Sequence, residues 1–201
     1  MKLYYSPGAC NLSPHIVLLE AGLDAELVRV DLKTKLTEHG EDFAAINPKG
    51  YVPALLLDDG ELLTEGPAIV QYLADLRPDA QLAPPWGTRE RSRLHEWLNF
   101  IGTELHKSFS PLFRAQSEEW REVAIANLKR RFTYVATHLQ SHDYLLGECF
   151  SVADAYLFTV MSWGAKVGFD LSPWPALLAF QQRVGARPAV QAALQQEGLT
   201  A

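Results

Sequence analysis

Over the first 76 residues the apolar positions come in short runs broken by turn residues, and beyond residue 88 they recur every three or four positions over long stretches. The first pattern predicts short alternating elements. These are a strand over 2–5, a helix over 14–21 stopped by Gly22, and a strand over 26–31. A short helix over 41–46 follows, ended by Asn47-Pro48-Lys49-Gly50. Strands 54–57 and 61–63 then form a hairpin about Asp58-Asp59-Gly60, and Pro67 opens a helix to about residue 75. The second pattern predicts helices over 89–108, 118–139, 153–167, 176–185 and 189–197. On the first of these, Leu94, Trp97, Leu98, Ile101 and Leu105 make an apolar stripe, with Asn99, Thr103 and His106 on the opposite side. A solvated face has the same appearance.

Residues 78–87 contain Pro78, Pro84 and Pro85 and read as a linker between segments 1–77 and 88–201. The element order of 1–77 is that of an α/β thioredoxin-like domain: a parallel strand pair joined through a crossover helix, then an antiparallel hairpin. Segment 88–201 reads as all-α. Ser151-Val152-Ala153-Asp154 stands before the apolar run 155–160 and resembles a capping box with Asp154 in the Glu/Gln place, a folding element.

At 201 residues, 48% of them hydrophobic, the chain is large enough to bury a sizeable core. A net charge of −6 is not that of a nucleic-acid binder, and Lys129-Arg130-Arg131 reads as a solvated helix face. Met1-Lys2 leads directly to Ser6-Pro7-Gly8, with no signal-peptide apolar core, and no apolar run reaches membrane-spanning length. Two distant cysteines, Cys10 and Cys149, favour a reducing compartment, so the expectation is a cytoplasmic protein with neither nucleic-acid nor membrane partners.

Cys10 lies between the first strand and the first helix. With Ser13 as cap and Pro14 in the first turn, the sulfur sits near backbone N–H groups and the positive end of the helix dipole, surroundings that favour a thiolate. The spacing Cys10-x-x-Ser13 offers no second thiol, so any disulfide at Cys10 forms with an outside sulfur. A buried structural cysteine is the other reading, which the turn residues Pro7 and Gly8 weaken. A cis Val52-Pro53 bond, the expectation here, leaves the Val52 N–H and C=O turned to the Cys10 loop for pairing with an extended peptide, although trans is the commoner state at a strand start. At the next helix entrance Gly66 offers an N–H to a carboxylate, and Glu65 offers an anion to an ammonium. A thiol, a peptide backbone and an amino-acid head group are the parts of glutathione. No metal is expected: His95-Glu96-Trp97-Leu98-Asn99 has Asn where the zinc-protease pattern needs its second His. Phe113, Met161 and Trp163 are candidates for an apolar co-substrate pocket, or plain core.

Essentially the whole length resembles a bacterial beta-class glutathione S-transferase. The resemblance runs through Tyr5-Ser-Pro-Gly-Ala-Cys10, Asn47-Pro-Lys-Gly-Tyr-Val-Pro53, Leu63-Thr-Glu-Gly-Pro-Ala-Ile-Val-Gln-Tyr-Leu73, Trp97-Leu-Asn-Phe100, Glu104-Leu-His-Lys107 and Ser151-Val-Ala-Asp154. It implies the glutathione transferase fold, homodimers, and glutathione as co-substrate with no tightly bound cofactor. Cys10 then contacts or covalently binds the glutathione sulfur, Lys35 holds a carboxylate, and Val52, before Pro53, pairs with the cysteinyl backbone. Glu65 and Gly66 hold the γ-glutamyl end. Asn99, Thr103, His106 and Lys107 line the cleft near that site, and Glu104 reaches the partner subunit's ligand. Two positions depart from the pattern, Gly66 where many transferases carry Ser, and Asn11 where Ser is frequent. The implied reaction is detoxification by attack of glutathione thiolate on a small hydrophobic electrophile, with Tyr5, Cys10 and His106 as candidates for polarising or deprotonating a thiol. Rival readings are thiol transfer, peroxidase or dehalogenase chemistry through a Cys10 mixed disulfide, and a binding protein without catalysis.

Overall fold

The computed structural model describes residues 1–114 and 117–199, in two compact units. The first unit begins with β1 (Lys2–Tyr5), α1 (Leu12–Glu20), β2 (Glu26–Asp31), β3 (Leu36–Thr37), α2 (Phe43–Ile46), β4 (Ala54–Leu56), β5 (Leu62–Thr64) and α3 (Gly66–Leu76). Among the described residues these strands form a sheet in the order β3-β2-β1-β4-β5. Only β1 and β2 are parallel, which requires the crossover that α1 supplies. Leu3 pairs with Leu27 and Leu55, Tyr4 with Val28 and Ala54, so strand alternation sends the two sets to opposite faces. Tyr4, Val28, Val30, Val52, Ala54 and Phe43 make one buried cluster, and α1 packs on α3. Two details differ from expectation. Strand β3 has only two residues, too few to leave a pattern. The hairpin turn is a longer loop over 57–61, closed by Leu57 N–H donating to the Glu61 carbonyl at 2.8 Å.

The second unit is helical. Helix α4 (Arg89–Phe100) continues without a break through a π-helical turn (Ile101–His106) into α5 (Lys107–Arg114), a longer rod than the predicted 89–108. Then come α6 (Glu118–Leu139), α7 (Val152–Val167) and α8 (Pro175–Gly185). The predicted stripe Leu94, Trp97, Leu98, Ile101 and Leu105 is buried. Helix α7 is buried on every side from Val152 to Met161, and it begins with the predicted capping box. Asp154 accepts hydrogen bonds from Leu145 N–H, Ser151 N–H and Ser151 Oγ, each 2.8 Å long. Complete burial outweighs those three donors and pushes its carboxyl up to about 6.

The segment 187–199, with α9 (Pro188–Gln196), belongs to the first unit, whereas the sequence boundary assigned all of 88–201 to the helical domain. Side-chain chemistry is the reason. Arg187 makes a bidentate pair with Glu20 of α1, at 2.6 and 2.8 Å, and α9 packs along α1.

Candidate active site

Cys10 is carried by the loop 6–11 between β1 and α1. A local turn shapes that loop, with Ala9 N–H on the Ser6 carbonyl at 3.0 Å, and a buried carboxylate from the far end of the chain ties it down. Glu197 Oε2 accepts the Gly8 N–H at 2.8 Å, while its Oε1 accepts Asn11 Nδ2 at 3.0 Å and lies 3.0 Å from His15 Nδ1. The other ring nitrogen of His15 is 2.8 Å from Gln196 Oε1. Asn11 Oδ1 accepts the Ser6 N–H at 3.0 Å. His15 and Glu197 are 1% and 4% exposed, a burial that a carboxylate tolerates only when its oxygens are taken up in this way. Asn11, not Ser13, is therefore the residue at the helix entrance, and its side chain serves the loop instead of capping. Ser13 falls inside the first turn, where its hydroxyl donates to the Cys10 carbonyl at 3.4 Å. The Cys10 side chain is half-buried and its S–H donates to the Val52 carbonyl at 3.3 Å. Val52-Pro53 is cis, as expected.

Around this pair lie the other groups of the first unit. Lys35, with φ 61°, directs Nζ to the Gly50 carbonyl at 2.7 Å, two residues before Val52. Glu65 immediately precedes α3 with φ 69°, a left-handed conformation that costs a non-glycine residue about 1–3 kcal/mol and is found mostly at functional positions. Its Oε1 accepts both Lys49 Nζ and Tyr51 Oη at 2.7 Å, and Lys49 Nζ also donates to Thr64 Oγ1 at 2.8 Å. The hydrogen bonds to this carboxylate raise the pKa of both the lysine and the phenol. Gly66 opens α3, where Ala68 and Ile69 N–H are already bonded to the Glu65 carbonyl, and its own N–H points from the positive end of the helix. A Cβ built on Gly66 would lie 3.8 Å from Pro53 Cγ, an ordinary contact, so the backbone admits a serine here.

In the second unit, His106 closes the π-helical turn, a local widening that recurs at functional sites. Its Nδ1 lies 2.7 Å from the Tyr156 hydroxyl, and its ring meets Trp163 edge-on at 4.7 Å. Trp163 contacts Phe109 and Phe113 at 5.7 and 6.0 Å. Phe113 is half exposed; Trp163 and Met161 are buried. Asn99 and Thr103 turn back onto their own helix, donating to the carbonyls of His95 and Asn99. Glu104 Oε2 accepts Arg131 Nε at 2.7 Å, and Lys107 is exposed. Among the described residues no group of three or more His, Cys, Asp or Glu side chains is placed to hold a metal ion, and no helix is long and apolar enough to cross a membrane.

Residues 10–76 match the glutathione S-transferase N-terminal domain and residues 100–188 the glutathione S-transferase C-terminal domain. Glutathione S-transferase GstA of Escherichia coli O157:H7 is 52% identical over 99% of this chain and all of its own length. The structure of BphK, a bacterial glutathione S-transferase in a ternary complex, superposes with a TM-score of 0.98 at 62% identity, covering 99% of this chain and all of BphK. A bacterial beta-class transferase from Sphingomonas chungbukensis gives 0.96 at 49% identity, with both chains fully covered. The chain belongs to the bacterial beta-class glutathione S-transferases.

Within this transferase the expected site residues fall into two sets. Cys10, Lys35, Val52, Pro53, Glu65 and Gly66 are in the first unit, and Asn99, Thr103, Glu104, His106, Lys107, Phe113, Met161 and Trp163 in the second. The transferase's Tyr5 is half-buried at the end of β1, and burial, followed by the charges of Glu38 and Glu197, raises its pKa. A raised pKa keeps the phenol protonated and able to donate a hydrogen bond. Sequence reasoning missed the partners of these residues: Glu197 and His15 behind the Cys10 loop, Lys49 and Tyr51 on Glu65, Tyr156 on His106, and Arg131 on Glu104. Lys49 and Tyr51 had a signal, since both lie inside the Asn47–Pro53 motif. Glu197 had none.

Proposed function

We propose that this transferase joins the thiolate of glutathione to small hydrophobic electrophiles. The observation that carries the reading is the Cys10 thiol on the Val52 carbonyl, in the same unit as the strained Glu65. Glutathione laid along Val52 pairs its cysteinyl amide with that carbonyl, which displaces the Cys10 S–H and brings two sulfurs together. Glu65 takes the γ-glutamyl ammonium, the Gly66 N–H takes the neighbouring carboxylate, and Lys35 the glycyl carboxylate. His106 is the titrating group that polarises the glutathione thiol, with Asn99, Thr103 and Lys107 as further ligand contacts. Phe113 and Trp163 are the apolar surface for the electrophile, and Met161 supports them from the core. Glutathione enters as co-substrate, with no tightly bound cofactor. The working form is a cytoplasmic homodimer serving detoxification, in which Glu104, steadied by Arg131, reaches the partner's ligand. Purified protein should accelerate conjugation of a chlorodinitrobenzene-type acceptor, followed by absorbance, and Glu65→Gln should raise KM for glutathione by about 10-fold, the worth of one charge-assisted contact. Absence of any rate above the uncatalysed one would refute the assignment.

A second reading is favoured by the half-buried Cys10 with Ser13, not Cys, three residues on. Here the Cys10 thiolate attacks a glutathione mixed disulfide, forms Cys10–S–S–glutathione and releases the other thiol, which takes up a proton. A second glutathione thiolate then attacks the bound glutathione sulfur, yielding glutathione disulfide and restoring Cys10.

A further inference from the structure

Glu65 is already engaged before any ligand arrives. Lys49 and Tyr51 donate to the same carboxylate oxygen at 2.7 Å each, and Thr64 Oγ1 takes a second N–H of Lys49 at 2.8 Å. The pair is accessible: the side chains of Lys49 and Glu65 are 47% and 53% exposed. Exposed ion pairs of this kind open at little cost. An amino-acid head group carries an ammonium and a carboxylate on one carbon atom. When its ammonium sits on Glu65, its carboxylate falls within a few ångströms of the Glu65 anion; the Gly66 N–H takes one of its oxygens, and a cation beside the other offsets the repulsion. Lys49 is such a cation, held against Glu65 and Thr64, and the Glu65/Lys49 couple is the charge-reversed image of the head group. Tyr51 keeps its hold on the Glu65 oxygen while the lysine moves, so the carboxylate does not lose its orientation.

We propose that Lys49 is a substrate-binding residue that donates its ammonium to the α-carboxylate of the γ-glutamyl residue and so selects peptides with a complete zwitterionic head group. The proposal rests on the reading of Glu65 as the ammonium's partner. It adds, beside the Gly66 N–H, a charged contact to the carboxylate and a stronger preference against ligands that lack it.

The test is a calorimetric titration of the full chain, its Lys49→Met and Lys49→Arg variants, with three peptides: glutathione, 4-aminobutanoyl-Cys-Gly, which lacks the α-carboxylate, and glutaryl-Cys-Gly, which lacks the α-amino group. Lys49→Met should weaken glutathione by about 10-fold, leave 4-aminobutanoyl-Cys-Gly within about 2-fold, and be rescued by Lys49→Arg, as expected for one charge-assisted contact. Unchanged or tighter glutathione binding would overturn the proposal and make Lys49 a mere counter-ion of Glu65. Equal loss for both peptides would overturn it too. Glutaryl-Cys-Gly on the unaltered chain reports on Glu65 separately. If it binds as well as glutathione, the Glu65 reading fails, whereas the comparison of the other two peptides still decides on Lys49.

Discussion

Gly8 and Glu197, 189 positions apart in the chain, share a 2.8 Å hydrogen bond, so the loop that bears Cys10 is anchored by a carboxylate at the end of the last helix. The same carboxylate faces the Asn11 amide and His15. The Gly8 N–H and the Asn11 amide both donate to it, and this dictates what substitution does. Glu197→Gln brings an NH₂ group against donors and removes the charge facing His15. The expected loss of stability is about 2–4 kcal/mol by denaturant unfolding, with a changed rate of Cys10 alkylation in the folded protein. A variant as stable as the parent, with unaltered Cys10 reactivity, would show that the loop holds itself.

Cys10 and Cys149 separate the two sulfur chemistries. Conjugation uses glutathione's own thiolate, so Cys10→Ala should retain measurable turnover of a chloronitrobenzene-type acceptor. Thiol transfer needs the protein sulfur, so the same variant should lose that activity and the glutathione adduct seen by intact mass after oxidation. Cys149 is exposed in the turn before α7, and Cys149→Ala should leave both unchanged. An adduct on Cys149 alone would reverse the assignment.

The elements that were legible in the sequence are those whose signal is local. The apolar stripe of α4, the Pro67 helix entrance and the Ser151/Asp154 capping box each follow from spacing within a few residues, and each is present. Cys10 and Val52 were legible as a pair only through the motif that contains each of them. What spacing misses is chemistry between distant segments. Nothing near residue 197 indicates that its carboxylate will be buried under the Cys10 loop, and for the same reason the packing that groups α9 with the first unit leaves no local mark. The π-helical turn was hidden for a different cause, since a widened turn inside a continuous helix leaves the apolar stripe intact.

Asp154 gives a pH dependence with a definite sign. Its carboxyl is pushed by burial from an ordinary 3.8 up to about 6, so between these values the folded state binds more protons than the unfolded state. Its contribution therefore favours folding below about pH 4, declines as pH rises, and is fully lost above about pH 6, a span of about 3 kcal/mol. Relative to Asp154→Asn, whose side chain does not titrate, the parent should lose unfolding free energy as pH rises from 4 to 7. A constant difference across that range would mean that the three hydrogen bonds outweigh burial and keep the carboxylate ionised.

The hydroxyl of Tyr156 is 2.7 Å from His106 Nδ1, with the two rings edge to face at 5.9 Å. Which partner carries the proton fixes the imidazole tautomer, and a phenol donating to Nδ1 places the ring proton on Nε2. Tyr156→Phe keeps the ring contact and deletes only the oxygen. If His106 polarises the glutathione thiol, losing this hydrogen bond of about 1 kcal/mol should lower kcat/KM for conjugation by about 5-fold and displace the pH–rate profile, because both tautomers and the imidazolium become available. Packing alone would move neither the profile nor its midpoint. The decisive comparison is the double variant. On a His106→Ala background Tyr156→Phe should cost nothing further, since the group it positions is gone. An additive loss in the double variant, or a profile that superimposes on the parent's, would show that Tyr156 acts on the reaction by another route and that the 2.7 Å contact is only a structural tie between the π-helical turn and α7.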